Sequence, residues 1–124
     1  MLCAECGYGV KASTKQDVYS FGVVLLEMVS RKPPMVEEKD QKFEHLPAWA
    51  ARMMKEGKMD EIIDEDLRSE QSAFLHSNMK DEMVKMMEIA SFCTRSSPNL
   101  RPCMNVVLDM LSSPNRGQGS DLTE

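Results

Sequence analysis

Long apolar runs are missing from this 124-residue chain, and that absence excludes the most. The foremost run is Val23-Val24-Leu25-Leu26, far short of the roughly 20 residues needed to cross a bilayer. No membrane insertion is expected. Blocks of positive charge are missing too: no Lys/Arg stretch exceeds two residues, and 20 acidic against 15 basic side chains leave a formal charge of −5. A nucleic-acid backbone is therefore a poor partner. After Met1 no basic segment leads into an apolar stretch, which argues against a secretory signal. A cytoplasmic chain with four reduced cysteines is the expectation. What is present, 42% hydrophobic and 28% charged residues, is the composition of a globular domain. A chain of this length supports one modest core and hardly two.

The spacing Ser13-Thr14-Lys15-Gln16 fits a capping box and predicts a helix from about Lys15 to Val29. Along Val18 to Val29 the apolar residues go nearly all the way round, so that helix is expected to be buried on most sides. Its valines make a strand the rival assignment, and the length of the run favours a helix. Gly22 costs about 1 kcal/mol relative to Ala in mid-helix, which implies a close backbone neighbour. Pro33-Pro34 stops the helix, and a polar loop follows to about Leu46. Pro47 opens a second helix with Trp49, Ala50, Met53 and Met54 inside and Gly57 at its end. Met59 to Leu67 reads as an acidic connector, and Arg68 to Asn78 as loop or frayed helix. Met79, Met83, Met86, Met87, Ala90 and Cys93 share one face of a third helix. Pro102 opens a fourth, with Met104, Val107, Leu108 and Leu111 on its inner face. Ser112 to Glu124 has no apolar periodicity and reads as a disordered tail. The expected architecture is all-α, four main helices in one domain over residues 1–111 and a tail over 112–124.

Chemistry-bearing patterns are sparse. Cys3-Ala4-Glu5-Cys6 has zinc-type spacing, but no second pair matches it, and Cys93 and Cys103 read as small buried hydrophobes. No metal site is expected. His45 and His76 stand alone in polar loops. Gly7-Tyr8-Gly9 lacks the third glycine, the preceding strand and the following lysine of a phosphate loop. The carboxylates of Glu37-Glu38 and Asp60 to Asp66 read as solvated faces, and no nucleophile is paired with a base. The twelve methionines fall on helix stripes, as ordinary core does.

Two long collinear blocks carry a resemblance. Gly7-Tyr8-Gly9-Val10-Lys11-Ala12-Ser13-Thr14-Lys15-Gln16-Asp17-Val18-Tyr19-Ser20-Phe21-Gly22-Val23-Val24-Leu25-Leu26-Glu27 resembles the segment after the activation loop of plant receptor-like serine/threonine protein kinases, especially the leucine-rich-repeat type. Cys93-Thr94-Arg95-Ser96-Ser97-Pro98-Asn99-Leu100-Arg101-Pro102-Cys103-Met104-Asn105-Val106-Val107-Leu108-Asp109-Met110-Leu111 resembles the same family's last block, at the expected distance. The likeness runs from Leu2 to Leu111. It implies that the helices are the C-terminal part of a kinase C-lobe, on the cytosolic side of the plasma membrane in the parent family. It also implies that Glu5 stands in the Ala-Pro-Glu triplet and forms a buried ion pair with Arg101. Ala4 and Cys6 depart from the family's proline and tyrosine there. Asp17, Gly22, Val24 and Met28 fall on structural positions of the central helix: Asp17 holds the catalytic loop, and Val24 and Met28 support the column beneath the adenine ring.

The family uses ATP and magnesium, placed by a glycine-rich loop, a strand lysine, a His-Arg-Asp loop and an Asp-Phe-Gly site. None of these occurs in the sequence. The resemblance therefore implies a partial kinase domain with no catalytic, cofactor-binding or metal-binding residue of its own, inactive by itself. The alternative is a helical interaction module or decoy, binding a full-length kinase or itself through the helix over residues 15–29.

Overall fold

The computed structural model describes the backbone of residues 11–68 and 73–113 and the side chains of residues 14–67 and 80–113. The most apolar stretch forms one long helix, α1 (Lys11–Ser30). It begins before the expected cap, so Ser13 lies within the helix rather than at its N-cap. The helix also stops ahead of the prolines. Arg31 turns into the left-handed region at φ 60°, and its N–H donates to the Glu27 carbonyl at 2.8 Å. The Ser30 hydroxyl donates to the Leu26 carbonyl and accepts from the Lys32 N–H. These bonds satisfy orphan groups of the last turn before Pro33 is reached.

The stretch expected to be a polar loop contains a hairpin, so the all-α expectation is corrected. Strand β1 (Met35–Glu37) pairs antiparallel with β2 (Phe43–His45), Val36 opposite Glu44. The reason is local alternation: Val36 points inward between exposed Met35 and Glu37, the period-2 pattern of a half-buried strand. Helix α2 (Leu46–Lys55) follows directly. Arg52 on α2 fastens the hairpin through one nitrogen, 2.6 Å from Glu38 and 2.9 Å from Glu44. The hydrogen bond to Glu44 raises the Arg52 pKa; desolvation opposes it, and the charges of Glu44, Glu38 and Glu56 add to the rise.

The acidic connector folds into two single turns, α3 (Met59–Ile62) and α4 (Glu65–Arg68). Ile62 and Ile63 are buried, and the Asp64 N–H donates to the Val29 carbonyl at 2.9 Å, tying the connector to the end of α1. Helix α5 (Ala73–Cys93) starts earlier than the methionine stripe indicates. A 3-10 turn (Pro98–Leu100) and α6 (Met104–Ser112) complete the described fold. The remainder of the tail, residues 114–124, lies outside the described residues.

The core gathers on α1. Val18, Leu25, Leu26 and Val29 meet Trp49 and Met53 of α2, Met83, Met87 and Ala90 of α5, and Val107 of α6. α1 packs chiefly against α5, but it is not covered on every side. Val24 and Met28 are 47% and 62% exposed. With Asp17, also exposed, they lie seven and four residues apart, on one face of the helix.

At Gly22 the end of α5 comes close to α1. A Cβ placed there lies 2.6 Å from Thr94 Cγ2 and 2.8 Å from Cys93 Cβ, inside van der Waals contact. Gly22→Ala is expected to destabilise the fold: overpacking costs about 1–3 kcal/mol, against about 1 kcal/mol of helix propensity gained. A lower urea midpoint is the expected reading, and an unchanged or higher midpoint contradicts the close approach.

Candidate functional site

The first turns of α1 and the link between α5 and α6 carry the chain's most specific polar geometry. Arg101 is 8% exposed and Lys15 equally so. The Arg101 guanidinium donates from Nε to the Arg95 carbonyl at 2.8 Å, from Nη1 to the Lys15 carbonyl at 3.2 Å and from Nη2 to the Ser96 carbonyl at 3.4 Å. Its plane sits over the Tyr19 ring, 4.7 Å from the centroid. Lys15 answers in kind, its Nζ donating to the Arg101 carbonyl at 2.5 Å and lying 4.0 Å from Cys103 Sγ. Each cation thus bonds the other's backbone, joining positions 86 residues apart.

Two buried cations side by side are costly unless their donors are satisfied. Here backbone carbonyls and an aromatic face do that work, because charge-assisted bonds are stronger than neutral ones. Among the described residues no carboxylate pairs with Lys15 or Arg101. Glu5, expected to meet Arg101, lies outside the described residues, as do Cys3, Cys6 and the Gly7-Tyr8-Gly9 segment. Lys15 and Tyr19 were not singled out by the sequence. A lysine in a capping-box pattern reads as solvated, and only the three-dimensional approach of Arg101 reveals its burial.

The other implied residues do not join this cluster. Asp17, Val24 and Met28 share the open face of α1, and Gly22 faces α5. Between α1, the start of α2 and the end of α5 lies a cavity of about 500 Å³. Tyr19, His45, Ala50, Met54, Arg95 and Arg101 are among its lining residues, and no described lining residue is a carboxylate. Among the described residues it contains no pairing of acid with base that general acid–base chemistry needs. Among the described residues no group of three or more His, Cys, Asp or Glu side chains is placed to hold a metal ion, and no helix is long and apolar enough to cross a membrane.

The cysteines separate. Cys93 is a free, fully buried thiol whose pKa burial pushes up to about 11. Cys103 is buried as expected, 4% exposed, but is disulfide-bonded rather than a thiol; the thiol expectation rested on a reducing address.

A family model for protein tyrosine and serine/threonine kinases matches residues 2–111, and the chain belongs to that family. Its relatives include a probable LRR receptor-like serine/threonine-protein kinase of Arabidopsis thaliana, 41% identical over 97 residues, covering 78% of this chain and 9% of that protein. The leucine-rich repeat receptor protein kinase MSP1 of Oryza sativa subsp. japonica is 37% identical over 100 residues, covering 81% and 7%. Among solved structures, the pseudokinase domain of BIR2, an immune regulator of the RLK/Pelle family, matches with a TM-score of 0.64 at 28% identity, over 94% of this chain and 35% of that one. The chain spans under a tenth of those receptors' length and about a third of the pseudokinase chain.

Arg101→Ala is expected to cost about 3 kcal/mol or more, because three carbonyls lose a charged donor and the Tyr19 ring loses its cation. Arg95→Ala removes an exposed side chain resting on Phe92 and should cost about 1 kcal/mol or less. Similar small losses in chemical denaturation would contradict the clasp. Burial also sets a pH dependence. The Cys93 pKa is raised on folding, so its contribution is intact below the unfolded thiol's pKa, about 8.5, and is lost as pH climbs toward about 11. Stability should fall across that window, and Cys93→Ala should flatten the fall; an identical slope in the variant contradicts the assignment.

Proposed function

We propose that these residues are the C-terminal-lobe part of a plant receptor-like serine/threonine kinase domain and perform no phosphoryl transfer by themselves. The observation carrying this reading is a mismatch within one sequence. The blocks that build the kinase C-lobe are present, whereas the groups that place ATP, magnesium and the substrate hydroxyl are absent from all 124 residues. Glycine-rich loop, strand lysine, catalytic aspartate and metal-binding aspartate act together, and positioning plus electrostatics is nearly all the catalysis that phosphoryl transfer offers. A C-lobe core with its clasp holds no nucleotide. The likeness to a pseudokinase domain supports a role exerted by binding, on the cytosolic side of the plasma membrane, where the parent family's kinase domains lie.

The partner that fits is the remainder of a kinase domain, supplied by a full-length kinase. The open face of α1, with Val24 and Met28 exposed, supports this occupant, since the chain matches only 35% of the solved pseudokinase chain. Val24 and Met28 lie one helical turn apart, so they form a single apolar spot on that face.

The purified chain should bind no magnesium-ATP in calorimetry and incorporate no labelled phosphate. Turnover abolished by a single substitution in this sequence would refute the reading. The double variant Val24→Asp, Met28→Asp should keep its melting temperature within a few degrees and lose capture of a receptor-like kinase domain. Undiminished capture contradicts the assignment of that face.

A further inference from the structure

The loop that Arg101 grips carries a feature unused by the clasp. Ser97 is exposed and extended, at φ −86° and ψ 118°, and makes no side-chain capping hydrogen bond to the 3-10 turn that follows. Pro98 comes next. A proline disfavours the helical region for the residue before it, which holds Ser97 in the shape an active site reads as a strand, and it presents an apolar ring with no N–H to satisfy. The other described Ser-Pro serine, Ser113, has its hydroxyl bonded to the Asp109 carbonyl at 2.8 Å. Ser20 and Ser112 are exposed but helical. Ser96 is exposed but is followed by Ser97.

The surroundings suit an added anion. From Ile89 to Leu108 the sequence has no Asp or Glu, although the chain carries 20 of them, while Arg95 and Arg101 fall within that stretch. Arg95 is exposed two residues before Ser97, its guanidinium over the Phe92 ring and bonded to the Leu100 carbonyl at 3.2 Å. A phosphoserine adds about −1.5 to −2 charges and three strong acceptors, and here it would meet positive charge in an otherwise acidic molecule.

We propose that Ser97 is a phosphorylation site for a separate proline-directed serine/threonine kinase. The Ser97 hydroxyl oxygen attacks the γ-phosphorus of the nucleoside triphosphate held by that enzyme. The bond from the γ-phosphorus to the bridging oxygen breaks, the hydroxyl proton passes to the enzyme's catalytic aspartate, and the nucleoside diphosphate leaves. The phosphate then draws Arg95 away from the Leu100 carbonyl, modifying the loop that the clasp holds. This site does not depend on the chain's own proposed lack of catalysis, since the transferring enzyme is another protein.

The test incubates the full chain with a purified proline-directed kinase and magnesium-ATP and locates phosphate by peptide mass spectrometry. One phosphate on Ser97 is expected. Ser97→Ala should abolish it and Ser96→Ala leave it intact. Pro98→Ala should slow incorporation about tenfold or more, as loss of a fitted apolar group does. Melting curves confirm that each variant is folded. No incorporation, phosphate chiefly on Ser113, or an undiminished rate in Pro98→Ala would overturn the proposal.

Discussion

The described structure depends on a reciprocal clasp between two buried cations. Lys15 on the first turns of α1 bonds the Arg101 carbonyl, and Arg101 bonds the Lys15 carbonyl, with Tyr19 beneath the guanidinium. The clasp ties the link after α5 to α1, and Lys85 of α5, donating to the Leu111 and Ser113 carbonyls, holds the far end of α6, whose Val107 completes the core. Neutral side chains could not do this as well, because charge-assisted donors bind carbonyls more strongly and a guanidinium offers several in one plane.

α1 serves as the post around which the other elements are arranged. On one side Gly22 lets α5 come within contact of the helix backbone, on another Leu26 and Val29 meet α2 and the connector, and the last side stays open at Val24 and Met28. That division explains how one helix can be apolar almost all round without crossing a membrane.

Much of this was legible from the residues. The periodicity of Val18 to Val29, Leu46 to Met54, the methionine stripe to Cys93 and Met104 to Leu111 marks four helices, because side chains three and four apart must share a face. The family could be read because two long blocks kept their order. The hairpin was missed: its strands are three residues each and its turn places Gln41, not glycine, at φ 59°, so no turn signal stood out. The connector's short helices are held by burial of Ile62 and Ile63 rather than by propensity. Lys15 was invisible for a deeper reason. Sequence pattern assigns lysine to solvent, and its burial arises from a partner 86 residues away.

The most direct test of the central claim is a double-mutant cycle on Lys15→Met and Arg101→Met, measured by urea unfolding. If the two side chains form one unit, their separate losses will exceed the loss in the double variant by about 1 kcal/mol or more, the coupling seen for residues in a shared network. Strict additivity would mean that each acts alone, and that the link between α5 and α6 is held in place by something else.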